Sequence, residues 1–111
     1  MTSTEFRRLA LALPDATEST HMAHPDFRVH GKIFATLGSP SNGWGVVKLV
    51  PRQQQVLLDI DSETYAPAAG AWGRKGYTSI RLRSARKTVV ERALYEAWCN
   101  TAPKRLVRAK T

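Results

Sequence analysis

Apolar residues recur along this chain in two periods, and the places where the period changes outline its elements. Phe6, Leu9 and Leu13 lie on one helical stripe with Ala10 beside it. Thr2 and Glu5 make a capping-box pattern ahead of that stripe, and Pro14 disfavours helical geometry at Leu13, so the first helix is expected to stop there. The period then falls to two. Phe27 to His30 and Ile33 to Leu37 read as strands, with Gly31-Lys32 as the tight turn between them. Thr17 to His24 is polar and threonine-bearing, an edge-strand candidate on pattern alone. Ser39 to Gly43 is a loop by composition, and Trp44 to Val50 is a further strand closed by Pro51.

Pro51 is well placed to open a second helix, because its ring fixes φ near the helical value and the first turn has no use for the missing N–H. Val56, Leu57 and Ile60 supply its buried side, and it ends near Asp61 or Ser62. Tyr65 to Gly76 reads as one long loop of small residues, proline and glycine. Tyr77 to Arg83 then alternates as a strand: with Thr78, Ile80 and Leu82 facing the core, Tyr77, Ser79, Arg81 and Arg83 fall on the wet face. The strongest helical period follows in Val90, Ala93, Leu94, Ala97 and Trp98, with Thr88 and Glu91 as a second capping box, Ser84 as an earlier alternative start, and Asn100 and Pro103 as terminators. Lys104 to Lys110 reads as a basic tail in which only Leu106 and Val107 can dock. Trp44 and Trp98 are assigned to the core.

At 111 residues this is expected to be one α+β domain, spanning residues 1–111 with a basic C-terminal tail at 104–111. Its polar first residues and amphipathic first helix do not make a signal-peptide pattern, and no apolar run approaches a membrane span. A cytoplasmic protein without membrane contact is expected, and monomer is the favoured state.

Charge changes the picture more than composition does. The net +8 is uneven: Met1 to Val50 carries five Lys/Arg against four Asp/Glu, Pro51 to Gly73 one against three, and Arg74 to Thr111 eleven against two. A basic C-terminal third favours an anionic partner, most plausibly nucleic acid. The residues expected to bind it are Trp72, Arg74, Lys75, Tyr77, Arg81, Arg83, Arg86 and Lys87. Trp72 can stack on a base as aromatics do beside cationic tracks, or fold back over the sheet, and the second is the expectation for a large apolar ring. A protein-binding or small-anion-binding module without a nucleic-acid role is the alternative reading.

The order of certain residues resembles the MmcQ/YjbR family of small bacterial proteins. It rests on Phe6-Arg7-Arg8-Leu9-Ala10 with Leu13-Pro14, His24-Pro25 before Phe27, Val29 with Gly31-Lys32 and Phe34-Ala35, Glu63-Thr64 before Tyr65, and Ala97-Trp98 followed by Ala102-Pro103-Lys104-Arg105-Leu106. The resemblance implies a compact α+β fold similar to frataxin and CyaY, an antiparallel sheet with helices packed on one face, and a DNA-binding role, so DNA comes before RNA as the expected partner, and it brings no catalytic residue. The segment Ala66 to Lys75 departs from the family pattern, in which bulkier residues precede the glycine matching Gly76.

Other chemistry reads as structural. His21 and His24, three apart on one presumed strand, would point to opposite faces, and His30 sits by a turn, so a converging metal site is not expected. Cys99 lies in the last turn of a helix, where the dipole disfavours an anionic nucleophile. Asp59, Asp61 and Glu63 lack the donor spacing of a calcium loop and read as a solvated acidic turn. The glycines from Gly70 to Gly76 match no phosphate loop. The sequence therefore predicts no cofactor, no metal and no catalytic activity.

Overall fold

The Thr2 hydroxyl accepts the Glu5 N–H at 3.1 Å and starts helix α1, Ser3–Leu11, which buries Phe6 and Ala10. The structure, a computed structural model, describes residues 1–110. Helix α1 ends two residues short of Leu13, and Leu13 packs against the core from the turn beyond.

Strands β1, Ala16–His21, and β2, His24–Val29, form a hairpin that replaces the single edge strand expected from Thr17 to His24. Its turn is Met22-Ala23, with φ of +48° and +67°. Two positive φ values suit the right-handed twist of a hairpin, but neither residue type announces them. The next turn is centred on His30-Gly31, at +50° and +81°, one residue earlier than expected, so that Val29 pairs with Lys32 at the start of β3, Lys32–Leu37. Strand β4, Trp44–Val47, stops short of Val50, whose N–H donates to Gln53 Oε1 and so caps helix α2, Pro51–Ile60.

The stretch expected to be one loop holds a strand and a helical turn: β5, Tyr65–Pro67, and α3, Ala71–Arg74. Strand β6, Thr78–Arg81, gives way to a 3-10 turn at Leu82–Ser84, so Leu82 and Arg83 are not in the strand. Helix α4, Lys87–Thr101, starts at Arg86 without a side-chain cap, so the Thr88–Glu91 box is not used. The basic tail is helix α5, Lys104–Lys110, which rests Leu106 and Val107 on the core; Thr111 of that tail lies outside the described residues.

The six strands are antiparallel in the order β1-β2-β3-β4-β6-β5. Their registers define two faces. Phe27, Ala35, Val47 and Thr78 line up on one, as do Leu37, Gly45, Ile80 and Tyr65. Helices α1 and α4 cover that face. Gly45 is the seat of Phe6, since a Cβ there would stand 3.1 Å from the Phe6 ring, and α4 lies over β3 and β4, burying Val90, Ala93, Leu94, Ala97 and Trp98 as its period predicts. The other face carries Asp26, Thr36, Val46, Ser79 and Ala66 in one row and Trp44 beside Arg81 in the next. No helix among the described residues is long and apolar enough to cross a membrane.

Helix α2 departs from its predicted orientation. Val56 and Ile60 are 59% and 50% exposed, and only Leu57 of the expected trio is buried. The polar Gln54 turns inward instead, because its amide donates to the carbonyls of Gly73 at 3.1 Å and Tyr77 at 2.9 Å. Burying an amide is tolerable when its donors are satisfied. That pair of bonds ties α2 to the segment around α3.

Candidate nucleic-acid interface

Helix α3 explains why Trp72 does not cover the sheet. Gly73 is its buried residue, packed so closely that a Cβ would collide with the Ala68 carbonyl, and Gly76, at φ +110°, sits against the Leu49 carbonyl and Val50. With the glycine side turned in, Trp72 is turned out: it is 56% exposed, correcting the expectation that its ring folds back. It meets Tyr77 with ring centroids 5.0 Å apart, and Lys75 Nζ stands 5.0 Å above it. Partial burial raises the Tyr77 phenol above its ordinary pKa, so it is a neutral hydroxyl at physiological pH.

Strand β6 carries the alternation predicted for it, with two corrections. Ser79 and Arg81 do share the face opposite α1 and α4, but Ser79 is buried, because it lies in the middle of the sheet between Val46 and Ala66, and Tyr77 precedes the strand. Arg81 is half-buried, its guanidinium 5.0 Å over the Trp44 ring and its Nε enclosed without a hydrogen-bond partner in the protein. Trp44 is accordingly a half-buried platform on the open face rather than a core residue. Arg74, Lys75, Arg83, Arg86 and Lys87 are exposed. None of these six cations forms a salt bridge among the described residues.

The cations fall into two groups. From Tyr77 to Arg81 the chain advances about 13 Å at roughly 3.3 Å per residue. Arg74 and Lys75 lie beyond one end of β6, while Arg83, Arg86 and Lys87 lie beyond the other. The second group adjoins the turn after α2. Asp61 there accepts from the Glu63 N–H at 3.0 Å and from the Thr64 hydroxyl at 2.7 Å. The Thr64 hydroxyl, and after it the Glu63 amide, hold the Asp61 carboxyl below its ordinary pKa. Asp59, Asp61 and Glu63 are all exposed, as a solvated acidic turn requires.

A second constellation on the open face was not legible in the sequence. Asp26 is fully buried on β2; Arg28 donates to it twice, Nε at 2.8 Å and Nη2 at 3.0 Å, and His21 Nδ1 lies 2.8 Å from its Oδ2. Because the chain turns at Met22-Ala23, His21 and His24 pair across the hairpin on one face, with rings 6.4 Å apart, rather than on opposite faces. Among the described residues, no group of three His, Cys, Asp or Glu side chains is placed to hold a metal ion. The hydrogen bonds from Arg28, against the opposing effect of burial and with help from His21, hold the Asp26 carboxyl below its ordinary pKa.

That shift fixes a sign. A carboxyl depressed in the folded state contributes stability that is complete above its unfolded value, about 3.9, and is lost as pH falls through the folded value. The urea midpoint is therefore expected to fall below about pH 4. Asp26→Asn should start less stable at pH 6 yet lose less between pH 5 and 3; an acid limb as steep as in the parent chain would show that other carboxyls control it.

An open-faced antiparallel sheet covered on its other face by α1 and α4, with exposed cations on the segments before and after β6 and an exposed Trp72, defines an α+β domain. The YjbR family model matches residues 11–100, and the chain belongs to that family. The fold is similar to the crystal structure of the Deinococcus radiodurans protein DR2400, described as a DUF419 domain, with a TM-score of 0.76 and 14% identity over 89% of this chain and 77% of that one. No curated protein matches the chain.

Proposed function

We propose that this protein binds nucleic acid without catalysis, duplex DNA in the first place, through phosphate contacts from Arg74 and Lys75 at one end of β6 and Arg83, Arg86 and Lys87 at the other. The observation that carries the reading is that all five are exposed and, among the described residues, none has a carboxylate within salt-bridge distance. Free surface cations are the groups that displace counterions from a phosphate backbone. Trp72, with Lys75 over its ring and Tyr77 beside it, adds an aromatic surface to one end. Arg81, the last residue of β6, with its guanidinium carbon 5.0 Å over the Trp44 ring, adds to the second group.

Phosphate contacts position without reading bases. Binding measured by fluorescence anisotropy is therefore expected to vary little between duplex sequences and to weaken with salt, at a log-log slope of roughly −4 to −5 if about five phosphates are engaged. A protein that binds neither duplex nor single strands at about 50 mM salt, low in the range where such binding is strong, would overturn the reading.

A further inference from the structure

The end of β6 at Arg81, with the 3-10 turn that carries Arg83, borders a groove of about 610 Å³, and its lining has a feature that a simple phosphate track would not have. Strand β6 lies between β4 and β5, with Trp44 paired to Arg81 on one side and the Arg81 N–H bonded to the Thr64 carbonyl on the other. Arg81 and Arg83 are thus flanked by the Trp44 ring on one bank and by the turn Asp61 to Thr64 on the opposite bank. Asp61 is committed to that turn: it takes the Thr64 proton, and Thr64 Oγ1, 2.7 Å from Ser84 Oγ as well, is left to accept from Ser84. Glu63 is not committed. Its carboxylate has no hydrogen-bond or salt-bridge partner among the described residues, although two arginines line the same groove.

Opposite charges that share a groove and do not pair with each other suit a ligand that carries both complements. One end must be anionic, for Arg81 and Arg83. The other must present N–H donors, for Glu63. A free amino acid has both ends but is small for the space, which falls in the range of about 300–1,000 Å³ typical of larger ligands. A nucleotide has both and is of the right size: its phosphate matches guanidinium geometry, and an amino-bearing base edge is read by a carboxylate acceptor. Trp44, over whose ring the Arg81 guanidinium carbon stands at 5.0 Å, limits the conformations that the cation must give up on binding.

We propose that this groove binds a nucleoside monophosphate, with its phosphate on Arg81 and Arg83 and the amino edge of its base on Glu63. The nucleotide is either free or the 5′-phosphorylated end of a strand. The site shares Arg81 and Arg83 with the interface proposed above but does not depend on duplex binding.

The test is calorimetric titration of the full chain with GMP, with IMP, which lacks the 2-amino group, and with inorganic phosphate. GMP is expected to bind at least about tenfold more tightly than phosphate and several-fold more tightly than IMP, the scale of one recognised base edge. Arg83→Glu should lower GMP affinity about tenfold or more, and Glu63→Gln should bring GMP down to the level of IMP. Both side chains are exposed, and an unchanged urea midpoint would show that the variants fold. Displacement of GMP by a 5′-phosphorylated oligonucleotide ending in guanine, but not by its 5′-hydroxyl counterpart, would assign the site to strand ends; GMP binding without such displacement would assign it to the free nucleotide. Equal affinity for GMP and phosphate, or an Arg83→Glu variant that binds GMP as the parent does, would overturn the proposal. Arg74→Glu/Lys75→Glu separates it from the duplex reading, since that change should weaken duplex binding and leave GMP affinity intact.

Discussion

Trp98→Ala is expected to cost about 3–5 kcal/mol, a large part of the roughly 5–15 kcal/mol that holds a domain of this kind folded. The ring is fully buried on α4, stacks on Tyr95 with centroids 6.2 Å apart, and donates its indole N–H to the Pro14 carbonyl at 2.9 Å. That last bond joins the turn after α1 to a helix more than eighty positions further along the chain. Truncation would therefore open a cavity in the core, free the Pro14 carbonyl of its partner and loosen α1 against α4. Trp98→Phe keeps much of the apolar volume and loses the donor, so it should cost less, about 1–3 kcal/mol for an acceptor left unpaired, with some cavity cost added. Urea midpoints of the three proteins check this. A Trp98→Ala midpoint within error of the parent would mean that the stripe of α4 is not the centre of the core.

What the sequence made legible follows from where the packing is regular. The α4 period, the strands around Phe27 and Phe34, and the Pro51 start of α2 were readable because one buried face imposed a period on residues that also have matching propensities. The β1–β2 hairpin was not, since its turn uses Met22 and Ala23 at positive φ, where pattern reasoning looks for glycine or asparagine. The misplacement of His21 and His24 on opposite faces came from that one missed turn. Likewise Gln54 looks like a solvent-facing residue until its two carbonyl partners are known, and these lie 19 and 23 residues away. With Gln54 turned in, Val56 and Ile60 must turn out.

The cationic site was legible as a list and not as a surface. Arg74, Lys75, Arg83, Arg86 and Lys87 are exposed as expected from their types, but alternation alone could not show that Arg81 is drawn onto Trp44, nor that Glu63 shares a groove with Arg81 and Arg83. Two signals in the sequence do bear on this. The pairing of a tryptophan with an arginine on adjacent antiparallel strands is a common cation–π arrangement, and Glu63-Thr64 sits just ahead of the strand that borders β6. Neither can be used until the strand order is known.

The largest functional effect is expected from reversing charge on both sides of β6 while leaving Arg81 alone. Arg81→Glu is a poor probe, because a carboxylate there would lose the Trp44 stacking and enter a partly enclosed position, mixing stability with binding. Arg74, Lys75, Arg86 and Lys87 are exposed and form no salt bridge, so their replacement by glutamate should shift the urea midpoint by no more than surface changes usually do, about 0.5 kcal/mol each. Each lost phosphate contact flattens the log-log salt slope by about 0.9, so removing four should take roughly 3 to 4 units from it. At low salt the quadruple variant is expected to bind duplex at least a hundredfold more weakly, since four contacts are lost and four repulsions with phosphate gained. Reversing only the Arg74-Lys75 pair or only the Arg86-Lys87 pair should each give about half of the change in slope. If one pair alone accounted for the whole change, the duplex would lie at that end of β6 and would not bridge the two.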